Sequence, residues 1–396
     1  MFSVIDRRGK PGVSAVTACN WNLGSACRMT LARMPSRSGS ITRHDAAGCT
    51  RLAVIGKALL TLSFVVGTAV AAVGETVRLT GDLGYVPQVV KLLPAGSQVD
   101  ARSALFHVAN SGSLHPTVET PCDSGALPVN PYPLQIRESP AVTLQGGRFA
   151  GEVPLMSDWR STYCNSAGVL LRDSVGAVVE GLRMRRLWDA VRLTESASGF
   201  ILRGSWISEV RDDCIENDYL NGGLIEDMLL DGCFVGLSMR PPKGQERSPA
   251  GGPVVLRKVL MRMQSYLYKE RTEQGPPLKL DEAVPEIEVY DSIIAMDDQN
   301  TVSQLRLGIG WSRIGNCSGN LLLWTADTPW PEKFARPPAC FRFVEGEAAR
   351  ALWQEARRNW IDCHPMIERF DEDQASMALA CEPDAYGGHA EPRRQW

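Results

Sequence analysis

The residues best able to do chemistry fall in one run, Arg211-Asp212-Asp213-Cys214-Ile215-Glu216-Asn217-Asp218. Carboxylates held this close cannot all ionise freely, so at least one pKa is expected to rise. A carboxyl kept protonated near neutral pH can act as a general acid, and a carboxylate beside it can activate water. The same residue types have a quieter use. Asp and Asn at turns satisfy backbone N–H groups through Asx-type hydrogen bonds, and Asn217 and Asn221 read that way. Elsewhere His107, His115, His364 and His389 are scattered, and no GxSxG, P-loop or GxGxxG element occurs.

The elements that must position this run show themselves as repeats. The segments Val178-VEGLRMRRLWDAVRL, Phe200-ILRGSWISEVRDDCIEN and Leu224-IEDMLLDGCFVGLSM start 22 and 24 residues apart. Each opens on an apolar pair, alternates through its middle and closes on a short strand. Val254-VLRKVLMRMQSYLY and Ile287-EVYDSIIAMDD continue the pattern with insertions. A unit of roughly 20–30 residues marks a solenoid, because one unit alone cannot bury its apolar face. Short β-branched strands between Gly, Asn and Asp make the repeat β rather than helical. The expected fold is all-β, a right-handed parallel β-helix with a short C-terminal helix capping region. In that register Asp189 falls 24 residues before Asp213, which places the two on adjacent rungs with Asp212 beside them. The insertions 241–253 and 270–283 are expected to form walls on one side of the solenoid.

Composition narrows the class. The chain has 396 residues with a formal net charge of -3, so nothing suggests a nucleic-acid partner. Arg51 and Lys57 lead into an uncharged run, Ala58 to Val73, that ends near the small-x-small signature Ala69-Val70-Ala71. That run is about 16 residues, short of the roughly 20 a membrane span needs, and reads as a secretory signal. Eight cysteines follow it, and an even number in an exported chain implies disulfides. No CxxC pair or Cys/His cluster has zinc spacing. The expected organisation is leader and signal over 1–72, N-terminal cap and irregular coils over 76–141, parallel β-helix over 142–330, and C-terminal cap and tail over 331–396. Gly84-Tyr85-Val86-Pro87 followed by QVVKLL could open a short helix. Ala348, Ala351, Leu352, Trp353, Ala356 and Trp360 share a helical face, and that helix is expected to cap the open end of the solenoid.

The residues also resemble a family. Asp212-Asp213-Cys214-Ile215 is similar to the DDC-I element of polygalacturonase-type glycoside hydrolases, members of the pectin-lyase-like superfamily. Leu187-Trp188-Asp189 matches that family's NTD element at its Asp. Phe234-Val235-Gly236-Leu237-Ser238 keeps the GLS of its GHGLS element, with Val235 where the His belongs, and Tyr268-Lys269 partly matches its RIK element. The resemblance covers about 80 residues, Asp189 to Lys269. It implies a secreted β-helix with Asp212 as general acid, and with Asp189 and Asp213 positioning the attacking water. Lys269 would hold a substrate carboxylate or hydroxyl, and Cys214 would pair with Cys233. Lyases of the superfamily use Ca2+ with a basic residue. Glu216 and Asp218 could join such a site, with Arg211 or Arg240 as the base.

Two readings follow. One is an exported enzyme, secreted or periplasmic, that cleaves a glycosidic bond in a polysaccharide, needs no cofactor unless Ca2+, and works as a monomer. The other is a non-catalytic envelope or surface solenoid that binds glycan or a protein partner. The enzyme requires Asp189, Asp212 and Asp213 exposed together in an open groove with raised pKa values. The binder requires at least one of them tied up in backbone hydrogen bonds or facing the interior.

Overall fold

The computed structural model describes residues 74–108, 132–156, 167–241, 247–268, 270–282, 284–298 and 304–370. The leader and signal segment, Lys269, Cys122, Cys164 and Cys381 lie outside these residues.

The chain is all-β, with strands stacked in parallel in a solenoid-like arrangement of three ladders. The first ladder runs through Gln98–Val108, Thr143–Gln145, Val178–Glu180, Phe200–Arg203, Asn221–Met239, Ala250–Met263 and Ile287–Tyr290. The second uses the far halves of the longer strands, with Arg148–Gly151, Arg183–Leu187, Trp206–Glu216, Ile293–Met296 and Asn320–Trp324. The third joins Gln88–Lys91, Leu134–Arg137, Val169–Arg172, Val191–Thr194, the end of Trp206–Glu216, the end of Asn221–Met239, and Leu278–Leu280. Long strands turn a corner and serve two ladders. The pairing therefore closes a circuit of eight strands, from Gln98–Val108 to Asn221–Met239 along the first ladder and back along the second.

Period-two alternation explains why these residues fold this way. In the first ladder Val99, Leu144, Val179, Leu202, Ile225, Leu256 and Val289 stack inward in register, all buried. Their neighbours Glu180, Arg203, Glu226 and Arg257 face outward and pair across rungs, Arg203 to Glu180 at 2.6 Å and Arg257 to Glu226 at 3.1 Å. Phe106 and Phe149 stack at 4.5 Å in the second ladder. Two disulfides tie neighbouring coils, Cys214–Cys233 and Cys317–Cys340. Cys363 is disulfide-bonded as well.

Three expectations change. Parallel pairing reaches back to Thr76, into the stretch read as a cap with irregular coils. Gln88–Lys91, read as the start of a short helix, is a strand, because pairing with Leu134–Arg137 satisfies its backbone. The C-terminal helix does not cover the open end. Two helices are described, α1 (Gln304–Ser312) and α2 (Gly346–Cys363). α2 lies along the outer side of the second ladder, where Trp206, Leu229, Leu260, Ile293 and Leu323 would otherwise face water. Ala349, Trp353, Ala356 and Trp360 fill that face, while Ala348 and Ala351 are exposed. At the last rungs Trp330 and Phe334 pack edge-on against Trp324 instead.

Polar clamps fix α2. Asp231 accepts from Arg262 and Arg357, each at 2.6 Å, and Asp227 accepts from Trp360 Nε1 at 2.9 Å. Trp360→Ala is expected to cost about 3–5 kcal/mol, read as a lower urea midpoint. An unchanged midpoint would show that α2 contributes nothing to the solenoid.

Candidate functional site

The outward column of the third ladder carries Arg192, Glu216, Ser238 and Lys279 on successive rungs. Asp189 and Asp213 sit at the corner where the second ladder turns into the third. The register Val191↔Ile215 stacks their coils, and the Asp213 N–H donates to Asp189 Oδ1 at 3.1 Å. The 24-residue spacing read from the sequence is therefore the spacing of adjacent rungs here.

Both carboxylates are buried, with Asp189 and Asp213 each 3% exposed. Lys279 Nζ donates to both oxygens of Asp213, at 2.7 and 2.6 Å. Arg192 pairs with Glu216 at 2.8 Å and donates to the Tyr132 hydroxyl at 2.7 Å. Carboxylate oxygens of Asp189, Asp213 and Glu216 all lie within 4.8 Å of one another. Burial, followed by the charge of Asp213, lifts the Asp189 pKa to about 6. Burial and Asp189 drive Glu216 well above the usual carboxylate range, and burial with Asp213 raises Asp218. Burial works against the Lys279 ammonium, yet the Asp213 and Asp212 carboxylates outweigh it and hold the group above its ordinary value.

The other candidate residues go to different places. Asp212 is partly exposed, donates its N–H to the Trp188 carbonyl at 2.9 Å, and lines a cavity of about 170 Å³ with Phe234, Tyr268, Arg240, Lys279 and Arg306. Arg211, offered above as a lyase base, is fully buried. It donates to the Leu267 carbonyl and lies over the Phe234 and Tyr266 rings, so its role is to pack the corner. Arg240 is exposed at the cavity, 3.4 Å from Asp281. Val235, at the family's His position, pairs with Asp213 and is 2% exposed, so no imidazole supports an acid there. Cys214 and Cys233 bond as the resemblance implies. Asn217 closes a turn on the Asn221 backbone, its Nδ2 donating to the Asn221 carbonyl at 2.7 Å and its Oδ1 accepting from the Asn221 N–H at 3.1 Å, while Asn221 Oδ1 accepts from the Ala197 N–H at 3.1 Å. In the 270–283 insertion Arg271–Glu273 pairs antiparallel with the preceding Tyr266–Tyr268, and Tyr268 lines the cavity. The chain returns at Gly275, where a Cβ would come within 2.5 Å of the Phe234 carbonyl oxygen. The 241–253 insertion is already strand from Ala250.

The sequence reading missed Arg192, Lys279 and Arg306. Lys279 lies 41 residues beyond its rung neighbour Ser238, and that insertion hides the register. Its only trace is the alternation Leu278-Lys279-Leu280.

Calcium seeks about six to eight oxygens. The three buried carboxylates have suitable chemistry, and Glu216 Oε2 has no hydrogen-bond partner. Fixed cations nevertheless hold both Asp213 oxygens and the other Glu216 oxygen. The trio does not fit a calcium ion. It also does not fit a glycosidase pair, whose carboxyls stand roughly 5–9.5 Å apart around an accessible bond. Comparison with family models, curated proteins and solved structures gives no match.

Proposed function

We propose that this protein is an exported right-handed parallel β-helix of the pectin-lyase-like kind that holds a polysaccharide at the Asp212 cavity without cleaving it. The observation that carries this reading is the state of the two rung carboxylates. Asp213 is neutralised on both oxygens by Lys279, and Asp189 is buried under an Asp213 N–H. A base that must activate water needs a free lone pair and access, and neither carboxylate has both.

The β-helix reading draws on three parallel ladders in fixed order around each coil, with coil lengths of 22 to 24 residues across 178–237. Right-handedness follows from the strong preference of parallel crossovers. Export draws on the disulfides, which persist in oxidising compartments. Among the described residues no helix is long and apolar enough to cross a membrane. The protein works as a monomer, presenting the cavity to a glycan that extends beyond it.

A second reading, glycosidic hydrolysis with Asp212 as acid, is favoured by one observation, the place of Asp212 on the cavity wall. The two separate in a single experiment on wild type and Asp212→Asn across acidic and neutral glycans. The expected result is retention on immobilised glycan by wild type, about tenfold weaker for the variant, with no new reducing ends from either. Product from wild type that disappears in the variant would replace holding by hydrolysis. Absence of both retention and product on every glycan would end both.

A further inference from the structure

We propose that the C-terminal segment 371–381 turns back over the corner between the first and second ladders, closes a Cys363–Cys381 disulfide there, and fills the cavity at that corner with its apolar run 375–380. This cavity is separate from the one beside Asp212.

The corner carries a cavity of about 570 Å³. Its floor is glycine on successive coils, Gly147, Gly181 and Gly204, where the first ladder turns into the second. A Cβ on Gly204 would meet nothing within 4 Å, so the space above it is open. The outer wall is the stretch 363–368 that follows α2, where Pro365, Met366 and Ile367 give it an apolar side. Cys363, on the same wall, identifies the occupant. It is disulfide-bonded, and the other four described cysteines pair among themselves. Beyond the leader, three cysteines remain for it, Cys122, Cys164 and Cys381. Cys122 and Cys164 belong to the connections 109–133 and 152–168, which leave the second ladder for the third. Those connections start at the opposite end of the second-ladder strands from the cavity. Cys381 is nearest along the chain, 18 residues beyond Cys363, and a short loop costs least to close.

The path fits. After α2 the chain is pinned first by His364, 3.0 Å from Asp227, and then by Glu368, 3.4 Å from Arg148, and by Phe370 against the Arg183 guanidinium. Arg148 pairs with Arg183, Arg183 with Trp206, and Trp206 with Leu229, two residues from Asp227. At about 4.8 Å per rung, the return from Phe370 to Cys363 is roughly 10–15 Å. The segment 371–381 can extend to about 35 Å, so it has length to spare for lying in the cavity. Its apolar part, Ala375-Ser376-Met377-Ala378-Leu379-Ala380, stands between the acids Asp371-Glu372-Asp373 and Glu382. Packing that part against the glycine floor and Ile367 takes it out of water. In forming the bond each thiol gives up its hydrogen, and the two electrons reduce a disulfide oxidant of the exporting compartment to its dithiol by exchange.

The test is tryptic mass spectrometry of the full chain, alkylated without reduction. Cleavage after Arg358, Arg369 and Arg393 gives peptide 359–369, which holds Cys363, and peptide 370–393, which holds Cys381. These two peptides are expected joined, and expected to separate on reduction. A brief peroxide pulse on the native protein tests the docking, because methionine oxidation follows exposure. Met377 reports the segment, and Met156, which is 61% exposed, sets the open rate. In wild type Met377 should oxidise about tenfold more slowly than Met156, and Cys381→Ser should bring the two rates together. Cys363 joined to any other cysteine overturns the proposal. So does a Met377 in wild type that oxidises as fast as Met156, since the run 375–380 then lies in solvent. Both decisive readings are made on wild type, so they hold even where Cys381→Ser fails to fold.

Discussion

Replacing Lys279 with methionine is expected to destabilise the protein by about 3–5 kcal/mol at pH 7.5. The substitution keeps most of the side chain's volume and removes only the ammonium. What remains is an Asp213 carboxylate that is 3% exposed, beside Asp189 and close to Glu216. With Lys279 and Arg192 present, three carboxylates face two fixed cations. Without Lys279 one cation serves three, and a buried unpaired charge is far costlier than a lost surface pair. The loss should shrink as pH falls and the carboxyls take up protons. Adding Asp213→Asn should recover most of it, because the double variant buries two neutral groups. Urea unfolding of the four proteins gives the coupling directly. A wild-type midpoint for Lys279→Met would mean that Asp213 is hydrated rather than held.

The second large effect concerns Asp189 and runs the other way. Its pKa is raised from 3.8 to about 6 in the folded chain, by burial first and Asp213 second. The folded protein therefore binds this proton more tightly than the unfolded one. By linkage, the contribution of Asp189 to stability falls as pH rises from about 4 to about 6, and the penalty is complete above that. Glu216, shifted in the same direction, extends the loss upward. Asp189→Asn removes the charge and keeps an oxygen for the Asp213 N–H. The variant is expected to be more stable than wild type at pH 7.5, by about 1–3 kcal/mol, and to converge on it near pH 4. Unfolding midpoints of the pair between pH 4 and 8 check this. A difference that stays constant with pH would show that Asp189 is neutral throughout or fully solvated.

Little of this required tertiary information where the pattern was local. Leu187-Trp188-Asp189 and Asp212-Asp213-Cys214 could be laid on adjacent rungs because no insertion separates their coils, and the Asp213 N–H to Asp189 contact follows from that register. The register slipped by one at Phe200, which the repeats align with Val178 and Leu224. Ile201 is the residue that pairs with both. A one-residue shift exchanges inward and outward faces, so such errors matter even when the fold class is right. The face of α2 was legible in part: Trp353, Ala356 and Trp360 pack as their spacing implies, while Ala348 and Ala351 do not. Where the helix docks was not legible, because the outward residues Trp206, Leu229, Leu260 and Ile293 that receive it are spread over four coils.

By itself the sequence determined the all-β alternation and the repeat length that stacks Asp189 over Asp213, and its resemblance to a family pointed to the cysteine pair that ties the Asp213 coil to the next one. These are local or near-periodic properties, and period-two burial records them residue by residue. Only the tertiary structure decided which carboxylates see solvent. That depended on Lys279, which a long insertion brings to the corner, and on Arg192 and Tyr132, which meet there from different coils. Charge pairing acts through space over a few ångströms, and nothing in the order of residues along the chain encodes that distance once the coils stop being equal.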